Sequence, residues 1–152
     1  MSEKLRVAVL GGTGMVGQRF ISILNNHPWF EVATIAASPR SAGQTYEEAV
    51  GKRWKMDGEI PASVKNLVVK DVTDVKAVSE DVDFVLSAVN MSKDEIKHIE
   101  EEYAKTETPV VSNNSAHRWT PDVPMIIPEI NGMMFPSISG QSLNVLPAPE
   151  IA

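Results

Sequence analysis

The chain has 152 residues, 43% of them hydrophobic and 22% charged, with a formal net charge of −6 and a pI near 5.0. That is enough chain for one domain with its own core, and the acidity argues against generic binding to nucleic acid or to an anionic membrane. There is no cysteine, which excludes disulfides, thiolate metal sites and a cysteine nucleophile within these residues.

No apolar run approaches the ~20 residues that span a bilayer. The opening Met1-Ser2-Glu3-Lys4 has no signal-peptide anatomy, so the expected location is the cytoplasm. Leu5 to Leu10 is a short apolar run of the kind buried on both faces of a parallel sheet. After a glycine cluster, Val16, Phe20, Ile23 and Leu24 fall on one predicted helix face. Pro28 ends that helix by disfavouring helical geometry at His27. Glu31 to Ala37 reads as a second strand, which completes a β-turn-α-β unit.

Residues 38–66 are polar and rich in Gly and Pro, consistent with a short helix or a long loop. Leu67-Val68-Val69 and the longer Val82 to Val89 are the next predicted strands. Ser92 and Glu95 then form an S-x-x-E capping box ahead of a helix with Ile96, Ile99 and Tyr103 on one face. Pro109 to Ser112 and Val123 to Ile127 are further expected strands. Strands alternating with helices predict an α/β fold with a doubly wound, mostly parallel sheet, a Rossmann-type dinucleotide-binding domain. From Asn131 onward the only charge is Glu150, and residues 136–152 carry no clean period.

The glycines carry the functional signal. Gly12-Thr13-Gly14-Met15-Val16-Gly17 is a G-x-G-x-x-G, and Gly11, Gly14 and Gly17 also fit a G-x-x-G-x-x-G spacing. The motif follows a strand and opens an amphipathic helix, which is the context its mechanics require. The first glycines permit a sharp turn, the central one lets backbone approach a pyrophosphate, and the last lets helix and strand pack closely. Free N–H groups and the positive end of the helix dipole then meet the phosphates.

An NAD site usually places an acid at the end of the second strand, ~20 residues on, to accept from the ribose 2′-hydroxyl. Here that place reads Ala37-Ser38-Pro39-Arg40-Ser41, with no acid. Ser38, Arg40 and Ser41 suit a 2′-phosphate through charge-assisted hydrogen bonds, so NADP is the expected cofactor. Ser87-Ala88-Val89-Asn90 closes a strand and is placed to pass beneath it. "VVSNNSAHRW" (110–119) offers Asn113, Asn114, Ser115, His117 and Arg118, with Arg118 as the candidate for an anionic substrate. Asn and Ser are also common turn formers, and His117 suits a surface or cap position as well as an acid/base role. Trp29, Trp54 and Trp119 are expected to be packing residues rather than a stacking platform, and no spacing suggests a metal site.

Several stretches together carry a family resemblance: "VAVLGGTGMVGQRF", "HPWFEV", "AASPRSAGQTYEEAV", "RWKMDGEIP", "VDFVLSAV" and "VVSNNSAHRWTPDVPMIIPEIN". They resemble the N-terminal half of aspartate-semialdehyde dehydrogenase, the archaeal and fungal branch above all, from about Leu5 to Asn131. Malonyl-CoA reductase is a similar relative. The resemblance implies NADPH-dependent reduction of β-aspartyl phosphate through a cysteine thioester. By it, Gly11, Thr13, Gly14, Met15, Val16 and Gly17 would bind pyrophosphate. Ser38, Arg40 and Ser41 would take the 2′-phosphate, and Ser87 and Ala88 would lie under the cofactor. Asn114 and Arg118 would meet a substrate phosphate. Residues 1–131 are thus expected to form the NADP-binding domain. Residues 132–152 are expected to be an atypical tail standing where the family has its catalytic and substrate domain, whose cysteine is missing here. The chain is expected to bind cofactor without turnover, as the cofactor-binding half of such an enzyme or as a non-catalytic NADP-binding module. It is expected to be a homo-oligomer or an aggregation-prone monomer, since loss of a large partner domain would expose an apolar face.

Overall fold

The computed structural model describes residues 3–121, 123–125, 130 and 145–147. Within them the chain runs β1 (Leu5–Leu10), α1 (Met15–Leu24), β2 (Phe30–Ala37), α2 (Tyr46–Val50) and a single 3-10 turn (Gly51–Arg53). It continues through α3 (Ala62–Lys65), β3 (Lys70–Asp71), α4 (Val75–Ser79), β4 (Phe84–Ser87), α5 (Lys93–Lys105), β5 (Val110–Ser112) and β6 (Val145–Pro147). The strands form a single parallel sheet in the order β3-β2-β1-β4-β5-β6. This is the doubly wound arrangement, with its switch point between β1 and β4.

The central strand shows why the sheet is covered on both sides. Successive side chains of a strand point to opposite faces. Val7 and Val9 pack with Ile21 and Leu24 of α1, Tyr46 and Val50 of α2 and Val64 of α3. Ala8 and Leu10 pack on the other face with Val78 of α4 and Ile99, Tyr103 and Ala104 of α5. A continuous apolar run is what such a strand needs.

Four local expectations are corrected. The buried side of α1 is Gly17, Gln18, Ile21 and Leu24, while Val16 and Ile23 are exposed. Gly17 has to face the preceding turn, and that sets the helix rotation. The third strand begins later than Leu67–Val69. Those residues pair antiparallel with the segment before α2 (Tyr46 N–H to the Leu67 carbonyl, Val69 N–H to that of Gln44), so the chain reaches the sheet only at Lys70–Asp71.

No strand occupies Val123–Met125, and residues 126–127 lie outside the described set. There the backbone is folded on itself: Arg118, Thr120 and Val123 donate to the carbonyls of Ser115, His117 and Thr120. Groups bonded so locally are not available to a ladder. The place beside β5 is instead taken by Val145–Pro147, in the stretch without a sequence period. Finally, of the three tryptophans only Trp54 joins the core, edge-on to Tyr46. Trp29 and Trp119 are 70% and 87% exposed.

Candidate functional site

The carboxyl ends of β1, β2 and β4 open on a groove of about 240 Å³. The β1–α1 turn forms one wall with Gly11, Thr13 and Gly14, and Ala37 and Ser38 come from the end of β2. Val72, Arg53 and the run Ala88 to Met91 complete it. Among the described residues no Asp or Glu lines it.

The glycines of the turn are there for different reasons. Gly11 has φ +77, and a Cβ on it would lie 2.5 Å from the Ala88 carbonyl oxygen. A Cβ on Gly12 would meet Ile35 Cγ2 at 2.5 Å, and one on Gly17 would meet the Gly11 oxygen at 2.2 Å and Gly12 Cα at 2.7 Å. Those three are required by the protein's own packing. Gly14 is not, because a Cβ there would meet only the Gly11 oxygen, at an ordinary 3.5 Å. It lies at the N-cap of α1, where no side chain among the described residues caps the helix. The orphan N–H groups of the first turn thus face a surface that the protein leaves bare.

The turn is also held from behind. Tyr46 in α2 donates its hydroxyl to the Gly12 carbonyl at 2.8 Å, and burial pushes that phenol above its ordinary pKa. The buried Gln18 donates through Nε2 to the carbonyls of Thr13 (3.0 Å) and Arg53 (3.1 Å). Its Oε1 accepts from the Lys55 N–H at 2.9 Å. One amide thereby ties the glycine turn to the segment after α2.

A second polar group lies at the ends of β4 and β5. Glu100 of α5 is fully buried. Its Oε1 accepts from Ser87 Oγ (2.8 Å), Ser112 Oγ (2.5 Å) and Asn114 Nδ2 (3.1 Å), while Oε2 has no hydrogen-bond partner among the described residues. The Asn114 N–H donates to Ser112 Oγ at 3.0 Å. The next turn is fastened to α5 by buried His117, whose Nε2 lies 3.3 Å from the Lys97 carbonyl and whose Nδ1 lies 3.1 Å from Thr120 Oγ1.

The family model "Semialdehyde dehydrogenase, NAD binding domain" matches residues 6–135. The chain belongs to this family. It is 48% identical over 127 residues to an aspartate-semialdehyde dehydrogenase of Methanothermobacter thermautotrophicus, covering 84% of this chain and 35% of the relative. It is 40% identical over 131 residues to a malonyl CoA reductase (NADP) of Metallosphaera sedula, covering 86% of this chain and 34% of the relative. The crystal structure of aspartate semialdehyde dehydrogenase with NADP from Candida albicans superposes with a TM-score of 0.82 at 30% identity, over 96% of this chain and 42% of that one. The chain thus spans about a third of the length of the curated relatives it matches.

Within this family framework the expected site residues fall in different places. Gly11, Thr13, Gly14, Ser38 and Ala88 line the groove together. Met15 and Val16 are exposed at the start of α1, and Gly17 is packed under the turn. Arg40 and Ser41 do not line the groove. Arg40 is exposed, and its carbonyl accepts from Gln44 Nε2 at 3.4 Å. The Ser87 hydroxyl is turned into the sheet toward Glu100 rather than toward the groove. Asn114 is engaged with the same carboxylate, and Arg118 Nη2 lies 3.5 Å from the Asn113 carbonyl. His117 is buried, not at the surface.

Sequence reading missed Arg53 and Met91 in the groove and Glu100 behind it. Nothing in the local pattern marks Arg53. Glu100 carried a signal: it lies among Ile96, Ile99 and Tyr103 on the buried side of α5, where an unpaired acid is rare.

Proposed function

We propose that the chain is the NADP-binding part of an aspartate-semialdehyde-dehydrogenase-like oxidoreductase. The carrying observation is Gly14: a glycine that packing does not demand, at an uncapped helix N-terminus, lining a groove with no carboxylate among the described residues. A ligand's pyrophosphate, approaching close to backbone N–H groups, accounts for all three features. Gly11, Thr13, Gly14, Met15, Val16 and Gly17 form that cradle. Ser38, with the Arg40–Ser41 turn beyond it, receives the 2′-phosphate, and Ala88, with the Ser87 main chain, forms the floor. The relative solved with NADP supports this choice of cofactor.

In the complete enzyme the bound cofactor supplies a hydride for reduction of β-aspartyl phosphate. Asn114 and Arg118 face the substrate's anionic group, Asn114 being held by Glu100. These residues contain no cysteine, so the chain as given binds cofactor without turnover. Residues 1–131 form the binding domain in this reading, and residues 132–152 are an atypical tail in place of the family's catalytic and substrate domain. A cytoplasmic homo-oligomer is the assembly it implies; no helix among the described residues is long and apolar enough to cross a membrane. The 40% identical malonyl CoA reductase makes reduction of that thioester the second reading, with the same cofactor site.

Calorimetric titration with NADP and with NAD tests the proposal. NADP binding at least about tenfold tighter, ~1.4 kcal/mol, is expected. Equal affinity, or binding of neither, refutes it.

A further inference from the structure

From the groove's charge, we infer that Arg53 is the main specificity residue for the cofactor's 2′-phosphate. The inference rests on the NADP reading above and deepens it. In a doubly wound sheet the ribose of a dinucleotide lies at the end of the second strand, which here is Ser38. Arg53 lines the groove together with Ser38, Thr13 and Gly14. It is the sole cationic residue among the described residues that line it. Arg40, which the sequence pattern favours, is exposed outside it.

Arg53 is also held in place. Its Nη2 donates to the Ala49 carbonyl, one helical turn back, at 2.5 Å. Its own carbonyl is gripped by the buried Gln18, the side chain that also grips the Thr13 carbonyl of the glycine turn. The phosphate cradle and the arginine are therefore parts of one hydrogen-bonded unit, and Gln18 is the positioning residue that joins them. A guanidinium has five N–H donors in a planar fork. With one of them on Ala49, the others suit a phosphate dianion next to the Ser38 hydroxyl. The folded backbone does not depend on the guanidinium, because Gln18 binds the main chain at Arg53 and Lys55.

The test compares 2′,5′-ADP with 5′-ADP as probes, by calorimetry on the full chain and on R53Q, R53K, R40Q and R19Q. Circular dichroism melts of each variant confirm folding. The native chain is expected to prefer 2′,5′-ADP by about tenfold or more, and R53Q to lose most of that preference with its 5′-ADP affinity little changed. R53K keeps the charge without the fork and is expected to fall between. R40Q is expected to lose less than R53Q. R19Q, on the exposed side of α1, controls for net charge and is expected to match the native chain. Full preference retained in R53Q, or a larger loss in R40Q, overturns the assignment to Arg53 while leaving the NADP reading intact. A native chain that binds neither probe, or both equally, overturns the NADP reading and this inference with it.

Discussion

The two halves of the sheet build their carboxyl ends differently. On the β1–β2 side the turn is shaped by absence: Gly11, Gly12 and Gly17 have no room for a Cβ, and only Gly14 is bare without a packing reason. On the β4–β5 side the structure is made by a presence. One buried carboxylate, Glu100, collects Ser87, Ser112 and Asn114. A constraint written in missing atoms resists substitution but leaves the backbone free to meet a ligand. A constraint written in a polar side chain occupies the very groups that looked free in the sequence.

The largest effect should follow from filling the first kind of constraint. Gly17→Ala places a Cβ at 2.2 Å from a main-chain oxygen, and backbone cannot yield as a flexible side chain can. A loss of more than about 3 kcal/mol is expected, the upper end of overpacking costs, read as a collapse of the urea midpoint. An unchanged midpoint would show that the turn is looser than described.

Removing the carboxylate probes the other half. Glu100→Ala leaves two buried hydroxyls and the half-buried Asn114 amide without their acceptor. Each buried orphan costs about 1–3 kcal/mol before relaxation, so a net loss of about 3 kcal/mol is expected in the same assay. Glu100→Gln retains an acceptor oxygen and should lose less. Equal losses for the two would mean that the cavity, not the hydrogen bonds, carries the cost.

The smallest effect lies at the exposed start of α5. Ser92 donates from Oγ and N–H to Glu95, and these bonds hold the Glu95 carboxyl below the ordinary range. A carboxylate with a depressed folded pKa contributes stability at pH values above its unfolded pKa and loses it as pH falls through the folded one. Between about pH 6 and pH 3 the melting temperature of Glu95→Gln should therefore fall less steeply than that of the native chain. Parallel curves would show that the box has no acid-linked share.

The same contrast explains what was legible in the sequence. The sheet could be read because a strand buried on both faces has to be a continuous apolar run, as Val7 to Leu10 is. The glycine turn could be read because glycine is the residue type that states a backbone requirement outright. The rotation of α1 was misread because Val16 and Ile23 are apolar yet exposed, while Gly17 and Gln18 decide which side faces inward. Ser87 and Asn114 were legible as polar groups at strand ends, but their direction depends on Glu100, thirteen and fourteen residues away. Arg53 depends on a long-range bond to Gln18. β6 is placed by its pairing with β5, which no periodicity announces.

The central claim is that the bare place at the head of α1 exists for a ligand. Gly14→Ala tests it most directly, with NADP affinity and melting temperature measured on the same sample. The account predicts that stability falls by under about 1 kcal/mol, the cost of a poorer N-cap, while NADP affinity drops by about tenfold or more because the new methyl stands where the pyrophosphate must approach. An alanine variant that binds NADP as tightly as the native chain would contradict it.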